Sequence, residues 1–227
     1  SVGTPQRMKD VSKLITATGE PTFVVLSAMS GTTNTLVEIS DYLYKKNPEG
    51  ANNTINKLER KYLQHVEDLY EKDDVKEKMR AFISDEFRYL RTLTKTHFTT
   101  FEEKIILAQG EIISTNMVTA YLQEQGVKTL LISALDFMRT DKNAEPDTAY
   151  IREHLTGIMA ENQGYDIYLT QGFICRNAYN EVDNLLRGGS DYTACLIGAV
   201  LDMEEIQIWT DIDGMHNNDP RVVEHTE

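Results

Sequence analysis

Residues 24–34 read VVLSAMSGTTN, an apolar run that passes directly into a polar loop containing a glycine. The chain has four short apolar runs of this kind, at residues 23–26, 129–132, 167–169 and 206–209. Each is nearly continuous rather than alternating, as expected for strands that are buried on both faces. Helical patterns separate the runs, so the sequence predicts an α/β fold with a mainly parallel sheet sandwiched by helices. In such sheets, ligands bind at the carboxyl ends of the strands.

Residues 41–108 contain no strand-like run, and they interrupt the alternation of strands and helices. Two sets of apolar residues within this stretch follow a helical period: Ile55, Leu58, Tyr62, Val66 and Leu69, and then Met79, Ile83, Phe87 and Leu90. This spacing predicts amphipathic helices that pack on each other. We interpret the stretch as a helical subdomain inserted between the first and second strands of the sheet.

Two later segments are rich in groups that bind anions. Residues 187–194 read RGGSDYTA and are predicted to open a helix, while residues 209–214 (WTDIDG) and 219–221 (DPR) follow the fourth apolar run. Paired glycines let the backbone approach a ligand closely, and a helix N-terminus presents free N–H groups to an anion. Two such loops at strand ends suggest that two anionic ligands meet there.

Glu111 directly follows Gly110, at a point where a helix that includes Val118, Tyr121 and Leu122 is predicted to begin. An acidic residue in a first helical turn often does no more than stabilise the helix N-terminus. Alternatively, Glu111 binds the ammonium group of an amino acid whose carboxylate is held by the two parallel N–H groups of Arg187. The residues alone leave both interpretations open.

The segments at 24–34, 109–114, 187–194 and 209–221 together resemble the aspartokinase branch of the amino-acid kinase family, over nearly the whole chain. The resemblance implies one catalytic domain over residues 1–227, truncated at both ends, with the helical insertion at about 41–108. It implies transfer of the γ-phosphoryl group of ATP to the β-carboxylate of L-aspartate, giving 4-phospho-L-aspartate for lysine, threonine and methionine biosynthesis. Mg²⁺ would be held mainly by ATP oxygens and water, so no metal-binding side chains are expected.

The resemblance also implies which residues form the site. Those matching substrate-binding positions are Thr33, Glu111, Phe173, Arg187, Ser190 and Asp191. We expect Arg187 and Asp191 to have catalytic roles, with Asp191 orienting the substrate ammonium or supporting Mg²⁺. The residues expected to bind the nucleotide are Ser27, Gly31, Thr210, Asp211, His216 and Arg221.

The chain departs from the family pattern at several positions. The family begins with a Lys-Phe-Gly-Gly-Thr-Ser segment and has a second lysine in a later Gly-Ala-Lys segment, whereas this chain starts at Ser1-Val2-Gly3. The regulatory domains that usually follow are also absent from it. Because each preorganised cation contributes about 10²–10³ in rate, we expect these 227 residues alone to be nearly inactive. Leu186, His216 and Cys175 each replace a residue that is usual in the family.

The composition excludes several functional classes. The formal net charge of −13 disfavours nucleic acid and anionic membrane surfaces as partners, and the sequence has no long apolar segment. The histidines show no zinc-binding spacing with Cys175 or Cys195, and neither the P-loop nor the Gly-x-Gly-x-x-Gly pattern occurs.

Cys195 is predicted to be a buried hydrophobe, and Cys175 lacks a nearby base that would make it a nucleophile. We expect a cytoplasmic protein that is a homo-oligomer at full length.

Two other functions remain open. A kinase of the same fold could use another carboxylate or a carbamate as acceptor. A protein without the family lysines could instead be a non-catalytic ligand-binding or subunit-interaction module.

Overall fold

The computed structural model describes residues 2–185 and 189–209. Its elements in chain order are α1 (Pro5–Thr16), β1 (Thr22–Leu26), α2 (Thr32–Tyr44), α3 (Pro48–Leu69), α4 (Asp73–Leu93), α5 (Thr100–Glu124), β2 (Thr129–Ile132), α6 (Ala134–Phe137), α7 (Thr148–Glu161), β3 (Ile167–Gln171), β4 (Ile174–Arg176), β5 (Val182–Asn184) and α8 (Gly189–Val200). Within these ranges, no helix has the length and hydropathy needed to cross a membrane.

The central sheet is parallel, with β3 between β1 and β2. Leu169 of β3 is in register with Val24 of β1 and Leu131 of β2, so the three strands end at one edge of the sheet. All five residues of β3 are buried, as the continuous apolar pattern predicts for a central strand. The predicted mainly parallel α/β architecture is therefore confirmed.

Helices cover both faces of this sheet. Successive residues of a strand point to opposite faces, so neighbouring residues of β3 belong to different cores. Leu169 belongs to a core formed with α2, α3, α4 and α5, and its neighbour Tyr168 to a second core formed with α6, α7 and α8. The helical periods predicted for α3 and α4 are confirmed, since every residue in both sets is buried. After the sheet, β4 and β5 form an antiparallel hairpin.

The helices between β1 and β2 extend beyond residues 41–108. α2 begins at Thr32 and α5 ends at Glu124, so helices account for nearly all of the chain between these strands. Their buried residues share one hydrophobic core with Val24 and Leu26 of the sheet. That residues 41–108 form a distinct subdomain stays a prediction.

Two predictions about the end of the described chain are wrong. Residues 206–209 form no strand, and the side chains of Ile206, Ile208 and Trp209 are exposed. Apolar β-branched residues stabilise a strand only where a neighbouring strand pairs with them, and no described strand does so here. Cys195 is exposed rather than buried, because it lies on the outer face of α8 while Thr193 and Ile197 face inward.

Candidate functional site at the carboxyl edge of the sheet

The helix carrying Glu111 begins eleven residues earlier than predicted, at Thr100. A capping box defines that start: Thr99 and Glu102 bond to each other's backbone N–H groups. The prediction that Glu111 lies in a first helical turn is therefore wrong, and so is the interpretation based on it. Gly110 does not mark a helix boundary. A Cβ atom there would lie 2.9 Å from the Cβ of Ala28, so glycine allows α5 to pack closely on the loop after β1.

Glu111 and Ser114 bind consecutive backbone groups of that loop. The Ala28 N–H donates to Glu111 Oε1 at 3.1 Å, and Ser114 Oγ donates to the Ser27 carbonyl at 2.8 Å. The two side chains share one face of α5 because they are three residues apart. The Ser27–Ala28 peptide is thus held from both sides by α5.

The second oxygen of Glu111 remains available. The side chain is buried, with 4% of the residue exposed, and Oε2 has no hydrogen-bond partner among the described residues. Burial raises the pKa of Glu111 to about 7, against a smaller lowering by the Ala28 N–H. A buried carboxylate with one unpaired oxygen is stabilised by a ligand cation, which compensates for the hydration lost on burial.

The loop after β1 leads into the first turn of α2. Gly31 has a φ of 80°, and it occupies the N-cap position without any side-chain cap. Thr33 is exposed on this turn, while Thr32 points inward and shares a 2.8 Å hydrogen bond with the Tyr62 hydroxyl. Ser27 and Gly31 are therefore at the end of β1, as predicted, with Thr33 beside them.

The loop after β3 meets the start of α8. A Cβ on Gly172 would lie 2.5 Å from Ser190 Oγ, and one on Gly189 would lie 3.0 Å from the Phe173 ring. Phe173 has a φ of 68°, and its N–H donates to Thr193 Oγ1 at 3.3 Å. The Gly172 N–H in turn donates to the Leu26 carbonyl at 2.9 Å. These contacts bring Phe173, Ser190 and Asp191 to the same sheet edge as Ser27.

Gln171 joins the parts of the site and was missed from the sequence. Its Oε1 accepts the Ala134 N–H at 2.8 Å, and its Nε2 donates to Thr115 Oγ1 at 2.9 Å. Thr115 Oγ1 donates to the Glu111 carbonyl at 2.7 Å. A polar residue at the end of an apolar strand that is followed by glycine was the available signal.

A cavity of about 580 Å³ runs along the outer edge of β1 and reaches this site. Ser27, Ser190 and Asp191 line it together with residues of α1 and α8. Asp191 is exposed, and it is a carboxylate that could support Mg²⁺. Cys175 is buried, and burial raises the pKa of its thiol to about 12, so it is a poor nucleophile.

The predicted site residues thus divide into two groups. Ser27, Gly31, Thr33, Glu111, Phe173, Ser190 and Asp191 all lie at the carboxyl edge of the sheet or on the helices that pack against it. The predictions for Leu186, Arg187, Thr210, Asp211, His216 and Arg221 fall outside the described residues.

Comparison with known proteins identifies relatives over the full chain. The model of the amino acid kinase family matches residues 1–227. An aspartokinase of Chlamydia muridarum is 28% identical and is matched over 100% of this chain and 49% of its own length. Lysine-sensitive aspartokinase 3 of Escherichia coli is also 28% identical, over 88% of this chain and 44% of its own. The chain thus spans about half the length of each of these two relatives.

Solved structures agree with this relationship. E. coli aspartokinase III in complex with aspartate and ADP superimposes with a TM-score of 0.84 at 27% identity, covering 100% of this chain and 51% of that one. The aspartate kinase of Clostridium acetobutylicum, at 18% identity and a TM-score of 0.75, shares the fold. With a family model that matches every residue, this chain belongs to the amino acid kinase family.

Proposed function

We propose that this chain is the catalytic domain of an aspartate kinase, which transfers the γ-phosphoryl group of ATP to the β-carboxylate of L-aspartate. The observation that carries the proposal is the Glu111 carboxylate. One of its oxygens is fixed by the Ala28 N–H, and the other is buried at the carboxyl edge of the sheet without a partner among the described residues. The similarity to aspartokinases over the whole chain supports the choice of acceptor.

In this mechanism, Glu111 binds the α-ammonium of aspartate, and Arg187 binds its α-carboxylate through two N–H groups. Thr33, Phe173 and Ser190 surround the side chain of the substrate. A β-carboxylate oxygen attacks the γ-phosphorus, while the bond from that phosphorus to the ADP oxygen breaks in line. ADP leaves with the bonding electrons, and 4-phospho-L-aspartate is formed without a proton transfer. The protein contributes positioning and charge stabilisation, which dominate catalysis in phosphoryl transfer.

The nucleotide is proposed to bind at the same edge of the sheet, with Ser27 and Gly31 donating to its phosphates. Thr210, Asp211, His216 and Arg221 complete the nucleotide site in this proposal. ATP is used as its Mg²⁺ complex, and Asp191 is the exposed carboxylate at the site that supports the ion. The full-length protein is proposed to be a homo-oligomer in lysine, threonine and methionine biosynthesis. Two free cysteines are typical of the reducing cytoplasm, where we place it.

The test is ADP release by the natural polypeptide that contains these residues. With Mg·ATP, we expect aspartate to stimulate ADP release, and hydroxylamine to trap the acyl phosphate. Glutamate and N-acetylglutamate serve as matched alternative acceptors. They should be at least about 10²-fold poorer, because glutamate carries its side-chain carboxylate one methylene further out and N-acetylglutamate lacks the free ammonium that Glu111 is proposed to bind. Equal rates with N-acetylglutamate would instead favour a kinase with another acceptor. Binding of aspartate without ADP release would favour a non-catalytic module.

A further inference from the structure

Tyr62 connects α3 to the first turn of α2, which follows the loop after β1. It lies on α3 with 1% of its surface exposed, and its hydroxyl is 2.8 Å from Thr32 Oγ1. Its ring packs beside Phe87, with ring centroids 5.9 Å apart. Burial holds the pKa of Tyr62 well above its usual value, so the hydroxyl stays protonated and can donate a hydrogen bond to Thr32 Oγ1 or accept one from it.

The first turn of α2 lacks the side-chain cap that fixes many helix N-termini. Gly31 occupies the N-cap position, and no side chain caps the helix there. The Thr32 N–H donates to the Met29 carbonyl at 2.9 Å, whereas the N–H groups of Thr33 and Asn34 have no acceptor among the described residues. An uncapped turn depends on tertiary contacts for its position, and the inward hydroxyl of Thr32 makes its buried polar contact with Tyr62.

Thr32 is buried, whereas the adjacent Thr33 is exposed to solvent. Thr32 is 1% exposed, and its Cγ2 lies 3.6 Å from the position of a Cβ added to Gly110. Thr33 is exposed, and the proposed function assigns it to the aspartate site. A shift at Thr32 is therefore transmitted directly to Thr33. Ser27, in contrast, is held separately by Ser114 of α5.

We propose that Tyr62 is a positioning residue for the acceptor substrate, whose hydroxyl fixes the first turn of α2 through Thr32 so that Thr33 and its free N–H group face aspartate. This inference rests on the proposed function. It places a determinant of aspartate binding on α3, in a side chain that does not contact the substrate itself.

The test compares two isosteric variants of the natural full-length polypeptide. Tyr62→Phe keeps the ring and removes the hydroxyl. Tyr70→Phe is the matched control, since Tyr70 is also buried, and its hydroxyl donates to the Met117 carbonyl at 2.7 Å, away from α2. We expect Tyr62→Phe to raise the KM for aspartate about 5-fold, as the loss of one hydrogen bond predicts, with the KM for ATP within about twofold. Tyr70→Phe should leave both KM values unchanged.

Variants of Thr32 test the connection itself. Thr32→Ser keeps the hydroxyl and should retain the wild-type KM for aspartate, whereas Thr32→Val should reproduce Tyr62→Phe. Because both changes break the same hydrogen bond, the double variant should be no worse than either single variant. Equal KM values for aspartate in Tyr62→Phe and Tyr70→Phe would overturn the proposal, and so would effects of Tyr62→Phe and Thr32→Val that add.

A second measurement separates this inference from the proposed function. If the wild-type protein releases no ADP with aspartate, the proposed function fails, and amide hydrogen exchange then tests the positioning role directly. Tyr62→Phe should speed exchange in the first turn of α2, at Thr35 in particular, whose N–H donates to the Gly31 carbonyl. Tyr70→Phe should not. Equal exchange of Thr35 in the two variants would refute the role of Tyr62 whatever the substrate.

Discussion

Two buried glutamates on α5 look alike in sequence but lie in different surroundings. Glu124, the last residue of the helix, accepts the N–H groups of Glu71 at 3.0 Å and Lys72 at 2.8 Å. Both residues directly precede α4, and Lys72 is its N-cap residue, so Glu124 binds the backbone at the N-terminus of that helix. Glu111, about 20 Å away along α5, accepts a single N–H, from Ala28.

Both residues have one buried oxygen without a partner among the described residues. They differ in the groups that surround the charge. The carboxylate of Glu124 faces the N-terminus of α4, whose dipole favours a negative charge. Glu111 faces the end of a strand, where burial raises its pKa to about 7. A buried carboxylate is thus a functional candidate when the protein itself leaves its charge poorly compensated.

The sharpest way to test this comparison is to neutralise each glutamate in turn. Glu111→Gln in the natural full-length protein should lower kcat/KM for aspartate by about 10²–10³-fold, because the substrate ammonium loses its buried partner. Steady-state measurement of ADP release gives kcat/KM for each variant. The same change at Glu124 is the control and should leave kcat/KM within about twofold. Similar losses in both variants would mean that Glu111 acts through stability alone.

The pH dependence of stability should separate the wild-type protein from Glu111→Gln. The folded-state pKa of Glu111 is about 7 against an ordinary value of 4.5, so the folded protein binds the proton more tightly than the unfolded chain does. Protonated Glu111 therefore makes its full contribution to the free energy of unfolding below pH 4.5. This contribution is lost as the pH rises towards 7, by about 3 kcal/mol at most. Urea unfolding of both proteins at pH 5, 6 and 7 measures the difference. If the free energy of unfolding changed with pH in the same way in both proteins, the raised pKa of Glu111 would be contradicted.

The close packing of α5 on the loop after β1 can be tested at Gly110. Alanine in the middle of a helix is ordinarily more stable than glycine by about 1 kcal/mol. At Gly110, however, the added methyl group would lie 2.9 Å from Ala28 Cβ and 3.3 Å from Leu36 Cδ1. We expect Gly110→Ala to lower the free energy of unfolding by about 1–3 kcal/mol.

The matched control for this change is Gly157→Ala on α7, where an added Cβ meets nothing within 4 Å. That variant should be stabilised by about 0.5–1 kcal/mol, as the helix propensity of alanine predicts. Thermal or urea unfolding distinguishes the two. Stabilisation by Gly110→Ala would show that α5 does not press against the loop.

The smallest expected effect concerns Glu124 itself. Glu124→Gln keeps an oxygen to accept the Glu71 and Lys72 N–H groups but removes the charge beside the N-terminus of α4. We expect a loss of about 0.5–1 kcal/mol in the free energy of unfolding, with a smaller loss in high salt, because the interaction is electrostatic. An unchanged free energy of unfolding would show that the charge of Glu124 has no stabilising role.

The sequence predicts the elements whose side chains follow a regular period. β1 and β2 lie within one residue of their predicted limits, and α3 and α4 bury the predicted faces. β3 extends two residues further than predicted, through Thr170 and Gln171. These polar residues are buried in the strand, and the hydrogen bonds of Gln171 to Ala134 and Thr115 are formed only in the folded structure.

α5 could not be delimited in the same way. Its buried residues lie all round the helix, because α2, α4 and the sheet pack against it, so no apolar stripe marks its length. Gly110 then resembles a boundary. The contact of Ala28 with Glu111 joins residues 83 positions apart, and such long-range pairing has no periodic signal in a single sequence. The resemblance to aspartokinases pointed to Glu111 where the local pattern indicated a different role.

The most direct test of the account is a crystal structure of the natural full-length protein with aspartate and a nonhydrolysable ATP analogue. The account predicts that Glu111 Oε2 lies about 2.7–2.9 Å from the α-ammonium nitrogen while Oε1 still accepts the Ala28 N–H. An aspartate whose ammonium is bound elsewhere, with Glu111 bonded to protein groups alone, would contradict it.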